Sequence, residues 1–119
     1  MLEMLFWFII KHFICDFPLQ ATPWMYLNKG TYGHIGGITH SAIHGIGTAL
    51  ICYFYIPEWW VTFALVDYLA HYHIDYGKVK VGRMFNLRPD NSECFWILLG
   101  FDQLLHFMTY FAFLWVGFK

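Results

Sequence analysis

Four long apolar stretches run along the chain, separated by short polar breaks. They cover about positions 2–20, 38–56, 59–77 and 94–118. Each approaches the roughly 20 residues that a helix needs to cross a bilayer core of about 30 Å. Pro18 and Pro23 mark the end of the first stretch, because proline has no N–H to continue a helical ladder. A loop with Asn28, Lys29, Gly30 and Gly33 follows. Only Pro57 and Glu58 part the second and third stretches, which predicts an antiparallel helical pair. Positions 78–93 are the most polar, with Lys78, Lys80, Arg83, Arg88, Asp90 and Glu93. The pattern predicts one transmembrane domain over 1–119, an all-α integral membrane four-helix bundle with no room for a soluble domain.

Polar residues interrupt the apolar stretches at intervals of four, and residues four apart share a helix face. The first stretch has His12, Asp16 and Gln20, and the second has His40 and His44. The third has Asp67, His71 and Asp75, with Lys78 next along; the fourth has Asp102 and His106, with Gln103 alongside. A charge near the middle of a membrane helix costs about 2.5–3.5 kcal/mol on insertion scales, so such residues point to function. Depth agrees with face. The stripes lie late, early, late and early in successive stretches, and antiparallel neighbours bring all four toward one side of the membrane. One shared His/Asp cavity near that side is therefore expected. His73 falls off the stripe and His34 sits in a glycine-rich loop, so both are set aside. The long stem of Lys11 suits snorkelling or a local pair. Gly36, Gly37, Gly45 and Gly47 suit close helix packing.

Histidine and aspartate four apart on a helix form a common way to present two metal ligands. The candidate ligands are His12, Asp16, His40, His44, His71, Asp75, Asp102 and His106. Mixed nitrogen and carboxylate donors suit a divalent metal, Zn²⁺ first, with Mn²⁺ or Fe²⁺ as alternatives. Asp67 or Asp16 is the candidate general base, and Lys78 the candidate anchor for an anionic group at headgroup level. Gln20 and Gln103 are placed to orient ligands. The competing reading is structural: His–Asp pairs between membrane helices are also hydrogen bonds worth about 1 kcal/mol each.

Composition sharpens the membrane expectation. Hydrophobic residues make up 59% and charged residues 13% of the 119, against about 45–50% and about 25% in soluble domains. A net charge of −1 offers no basic field for nucleic acid. Cys15, Cys52 and Cys94 form no CxxC pair and read as small apolar residues. The start has neither the basic leader nor the cleavage site of a signal peptide, so the first apolar run is expected to remain. Lys29, Lys80, Arg83 and Arg88 fall in the breaks 21–37 and 78–93, which the positive-inside rule places in the cytoplasm.

The run His12-xxx-Asp16-Phe17-xx-Gln20, followed by Trp24 and Lys29, resembles the start of a family of small phage and bacterial membrane proteins known as domain of unknown function 3307. His40-xxx-His44, His71-xxx-Asp75-xx-Lys78 and Asp102-Gln103-x-Leu105-His106 continue the likeness across nearly the whole chain. Pro18 and the short turn at Pro57 depart from the pattern. The resemblance implies an integral protein of a bacterial inner membrane, of phage or bacterial origin, and no activity. A looser likeness is to membrane-bound metal-dependent hydrolases.

These features lead to an expected metal-dependent hydrolase acting on a lipid or lipid-linked phosphoester at the membrane interface, with membrane lipid as its surroundings. Two alternatives stand beside it: a metal or proton transport or relay protein, and a non-enzymatic phage membrane protein that binds a host partner. A homo-oligomer is compatible with each.

Overall fold

A computed structural model describes the whole chain, Met1–Lys119. It is all-helical. Helices α1 (Leu2–Asp16), α2 (Pro23–Tyr26), α3 (Ile35–Tyr55), α4 (Trp60–Met84) and α5 (Glu93–Gly117) follow in order, with a 3₁₀ turn at Pro57–Trp59 between α3 and α4. Local chemistry sets the boundaries. His34 caps α3 by accepting a hydrogen bond from the Gly36 N–H at Nδ1, and Ser92 caps α5 by accepting from the Cys94 N–H. Pro23 opens α2 at a position where its missing N–H is not needed. Pro57 opens the 3₁₀ turn and folds α4 back against α3. Gly45 lets the backbones of that pair meet closely: a Cβ there would come within 3.1 Å of the Ala64 carbonyl oxygen.

Three boundaries differ from the sequence expectation. α1 stops at Asp16 rather than near position 20, because Pro18 cannot extend the ladder, and the Gln20 side chain instead folds back to donate to the Asp16 carbonyl. α3 begins at Ile35, three residues early, on the His34 cap. α4 continues past position 77 to Met84, so Lys78, Lys80 and Arg83 are helical rather than loop residues. No proline lies between Gly77 and Met84, and Lys and Arg are good helix formers. The short α2 has no counterpart among the expected elements.

α3 and α5 are long and apolar enough to cross a membrane. α4 is equally long but carries Asp67, Asp75, Lys78, Lys80 and Arg83. α1, with 15 residues, spans only about 22 Å at 1.5 Å per residue.

The interior has two halves. One is apolar: Met4, Phe8, Cys52, Ile56, Phe63, Tyr110, Phe113 and Leu114 pack together, with Phe8 stacked on Tyr110 and Phe63 on Phe113. The other half is polar. Of 26 buried residues, 13 are polar or charged and only 10 are hydrophobic. Phe54, Ile97, Phe111 and Trp115, by contrast, are each more than 60% exposed. This reverses the distribution of a domain folded in water, where charges are rarely buried and large apolar patches are rarely exposed.

Candidate metal centre

Each long helix contributes one pair of ligand-type residues four apart: His12 and Asp16 on α1, His40 and His44 on α3, His71 and Asp75 on α4, and Asp102 and His106 on α5. All eight are buried. The five imidazoles turn Nε2 inward onto the carboxylates. Asp16 Oδ1 lies 2.8 Å from His44 Nε2, 3.2 Å from His40 Nε2 and 3.6 Å from His71 Nε2. Asp75 Oδ2 lies 3.2 Å from His71 Nε2 and 3.4 Å from His40 Nε2, while Oδ1 is 3.3 Å from His106 Nε2. Asp102 Oδ1 is 3.4 Å from His106 Nε2.

Two groups could hold a metal ion: Asp16, His40, His44 and His71, and next to them His71, Asp75 and His106. In each, the ligand atoms lie within 4.8 Å of one another, and His71 belongs to both. A tetrahedral ion with bonds of about 2.0–2.1 Å separates its ligand atoms by about 3.3–3.4 Å, the edge of that tetrahedron. The 3.2 Å from Asp16 to His40, the 3.3 Å between the Nε2 atoms of His40 and His71, and the 3.6 Å from Asp16 to His71 bracket that edge, while the 2.8 Å from Asp16 to His44 is shorter, as in a direct hydrogen bond.

Hydrogen bonding leaves the cluster incompletely satisfied. Two facing imidazole nitrogens can share one proton at most, yet His40 and His71 also face carboxylate oxygens. Asp75 Oδ2 and Asp102 Oδ1 have no aligned donor, although neighbours crowd them. The Nδ1 atoms of His40, His44 and His71 are also buried without partners, so no contact behind these rings fixes their tautomers. Buried groups normally find partners. A cation in either group would give its facing nitrogen and carboxylate oxygen atoms a common partner.

His12 differs from the other histidines. Its Nε2 faces Gln103 Oε1 at 2.7 Å and Asp16 Oδ2 at 3.0 Å, both acceptors. The proton therefore belongs on Nε2, and Nδ1 accepts from the Tyr110 hydroxyl at 3.0 Å. His12 thus orients Asp16 instead of joining either ligand group. Gln103 also donates to Asp102 Oδ2 at 3.0 Å, which ties the α1 and α5 pairs together. Gln20 touches the Asp16 backbone and accepts from Lys29 at 3.0 Å.

Asp67, a candidate base by sequence, stands apart. Its Oδ2 is 2.7 Å from Lys11 Nζ and accepts from Thr48, in a buried unit where the two interior halves meet. Lys11 accordingly pairs across helices, with its ammonium 4.5 Å from the Tyr110 ring centre. Lys78 is partly buried at the outer edge, 3.4 Å from Asp102 Oδ2. Lys29 is the residue that spacing alone does not assign to the site. It is buried in the loop before α3, with Nζ 3.2 Å from Asp75 Oδ2. A lysine between Pro23 and the glycines at 30 and 33 reads equally well as an exposed loop charge, and only its place in the family motif singles it out.

A family model described as "Protein of unknown function (DUF3307)" matches residues 4–118. No curated protein and no solved structure matches the chain.

Proposed function

This chain belongs to the DUF3307 family of proteins of unknown function, and we propose that it is a small membrane-embedded metalloenzyme that hydrolyses a lipid or lipid-linked phosphoester. The observation that carries this reading is the convergence of three His/Asp pairs and one His/His pair, one from each long helix, on two adjoining groups whose ligand atoms lie within 4.8 Å of one another. The inverted distribution of polar and apolar residues supports a four-helix bundle in a bacterial inner membrane, with the cluster near the cytoplasmic face.

Asp16, His40, His44 and His71 would hold the ion, and three imidazoles with one carboxylate suit Zn²⁺ before Mn²⁺ or Fe²⁺. A divalent ion there supplies a water activated near neutral pH and polarises a phosphoryl oxygen. Asp102 is the carboxylate that lines the neighbouring cavity, so it is placed to accept a proton. Asp67, held by Lys11 and Thr48, and Asp16, faced by four histidines, do not line that cavity, whereas Asp102 does while also accepting from Gln103 and pairing with Lys78. The Lys29 ammonium, against Asp75, offsets negative charge at the inner wall. Lys78 holds the anionic group at the mouth.

Elemental mass spectrometry on detergent-purified protein, prepared without chelator or metal-affinity resin, tests the centre. Stoichiometric metal in the wild type, lost in a His40→Ala, His71→Ala variant, is the expected result. A metal-free wild type would return the cluster to a structural hydrogen-bond network.

A further inference from the structure

Between α4 and α5, outside the histidine cluster, two adjoining cavities share Lys78 and Leu98. The outer one, about 340 Å³, is flanked by Lys78, Arg83 and Arg88. The inner one, about 390 Å³, runs past Gly77, Phe101 and Leu105 to Asp102, which the metal centre also touches. The trench is therefore basic at one end and apolar along its walls, and it ends at the cluster. Its emptiness has a local cause. A Cβ on Gly77 would meet nothing within 4 Å, and one on Gly82 would meet only Leu98 at 3.8 Å. Glycine inside a helix costs about 1 kcal/mol relative to alanine, and here it leaves open space where α4 passes α5.

The charges on the trench are not all balanced internally. Arg88 sits 3.6 Å from Asp90, and Lys78 sits 3.4 Å from Asp102. Arg83 has no carboxylate partner, and its side chain donates only to the Gly30 carbonyl oxygen, at 3.4 Å. A free guanidinium beside a second cation suits bidentate recognition of a phosphate. Apolar walls leading away from it suit a hydrocarbon chain. Phe101 is half-exposed, so the trench opens sideways toward the surroundings of the bundle.

We propose that this trench is the binding site for the phosphate headgroup of an anionic membrane lipid, with Arg83 and Lys78 clamping the phosphate and the Gly77–Phe101 channel taking the apolar chain. The proposal goes beyond the hydrolase reading and does not rest on it: the clamp needs no metal, and it holds the phosphate at the basic end of the trench, away from the metal centre. The lipid is favoured over a soluble phosphate because most of the inner wall is hydrocarbon.

The test titrates the full chain in mild detergent with short-chain phosphatidic acid, the matched phosphatidylcholine, and inorganic phosphate, while metal content is followed in parallel. Wild type is expected to bind phosphatidic acid at least tenfold tighter than phosphatidylcholine. Arg83→Gln is expected to remove about tenfold of that. Gly77→Phe, whose Cβ meets no neighbour within 4 Å and whose ring would occupy the channel, is expected to do the same, and both variants should keep the wild-type metal content. Equal binding of the two lipids, or indifference to both substitutions, overturns the proposal. Inorganic phosphate that competes as well as the lipid, unaffected by Gly77→Phe, also overturns it and assigns a soluble phosphate instead. Selective lipid binding by a metal-free wild type would leave the trench standing and sink the hydrolase.

Discussion

His71 is shared by both ligand groups, which makes it the residue on which the cluster most depends. His71→Ala is expected to empty the whole centre, whereas His12→Ala should keep an ion but bind it about 10–100-fold more weakly, the usual effect of losing an orienting partner. Titration against a competing chelator separates the two outcomes. Metal binding requires unprotonated imidazole and carboxylate ligands, so retention should fall as the buffer is acidified. The Lys11–Asp67 pair behaves differently. Lys11→Met leaves Asp67 buried and unpaired at a cost of about 3–5 kcal/mol, while a Lys11→Met, Asp67→Leu double variant should recover most of that. Thermal unfolding in detergent reads both, and the double variant should retain its metal. At this scale much of the site is legible in the sequence, because four-residue spacing puts His40 with His44 and Asp102 with His106 on one face regardless of the rest of the fold. Asp67 shows where spacing stops informing. It shares a face with His71 but lies one turn deeper, where Lys11 of α1 reaches it. Lys29 is hidden for another reason: a loop residue has no period, so its depth depends on how the chain from α2 turns into α3.

The helices divide according to how closely they pass. α3 and α4 meet through Gly45, where an added methyl would press on the Ala64 carbonyl at 3.1 Å and Tyr68 Cβ at 3.2 Å. α4 and α5 stand apart at Gly77. The same substitution should therefore act in opposite directions. Gly45→Ala is expected to lower the unfolding temperature and loosen metal binding, and Gly77→Ala to leave stability unchanged or raise it by up to about 1 kcal/mol. Melting curves of the two variants check this. Pro57 announces the turn into α4 well, since it acts through its own backbone, whereas the apolar run to position 20 hides that Pro18 already ends α1 at Asp16. The continuation of α4 to Met84 escapes a reading that equates charge with loop, because Lys and Arg extend helices readily when no breaker intervenes.

Across the whole molecule, the apolar exterior and polar interior argue for a membrane setting. The protein is expected to stay with membranes through an alkaline carbonate wash and to come off only with detergent. Cys94 is a natural reporter of sidedness, being exposed at the start of α5 while Cys15 and Cys52 are buried. A membrane-impermeant maleimide should label it in inverted vesicles and spare it in intact spheroplasts. Labelling from the outer side would reverse the proposed orientation. The two-part interior also restricts traffic. Past the cluster lie the Lys11–Asp67 pair and then the packed rings of Phe8, Phe63, Tyr110 and Phe113. That floor of packed rings closes the polar half on one side. Whatever enters beside α4 and α5 must leave by the same door, so a reaction product would compete directly with incoming substrate, and slow release would brake turnover as product accumulates.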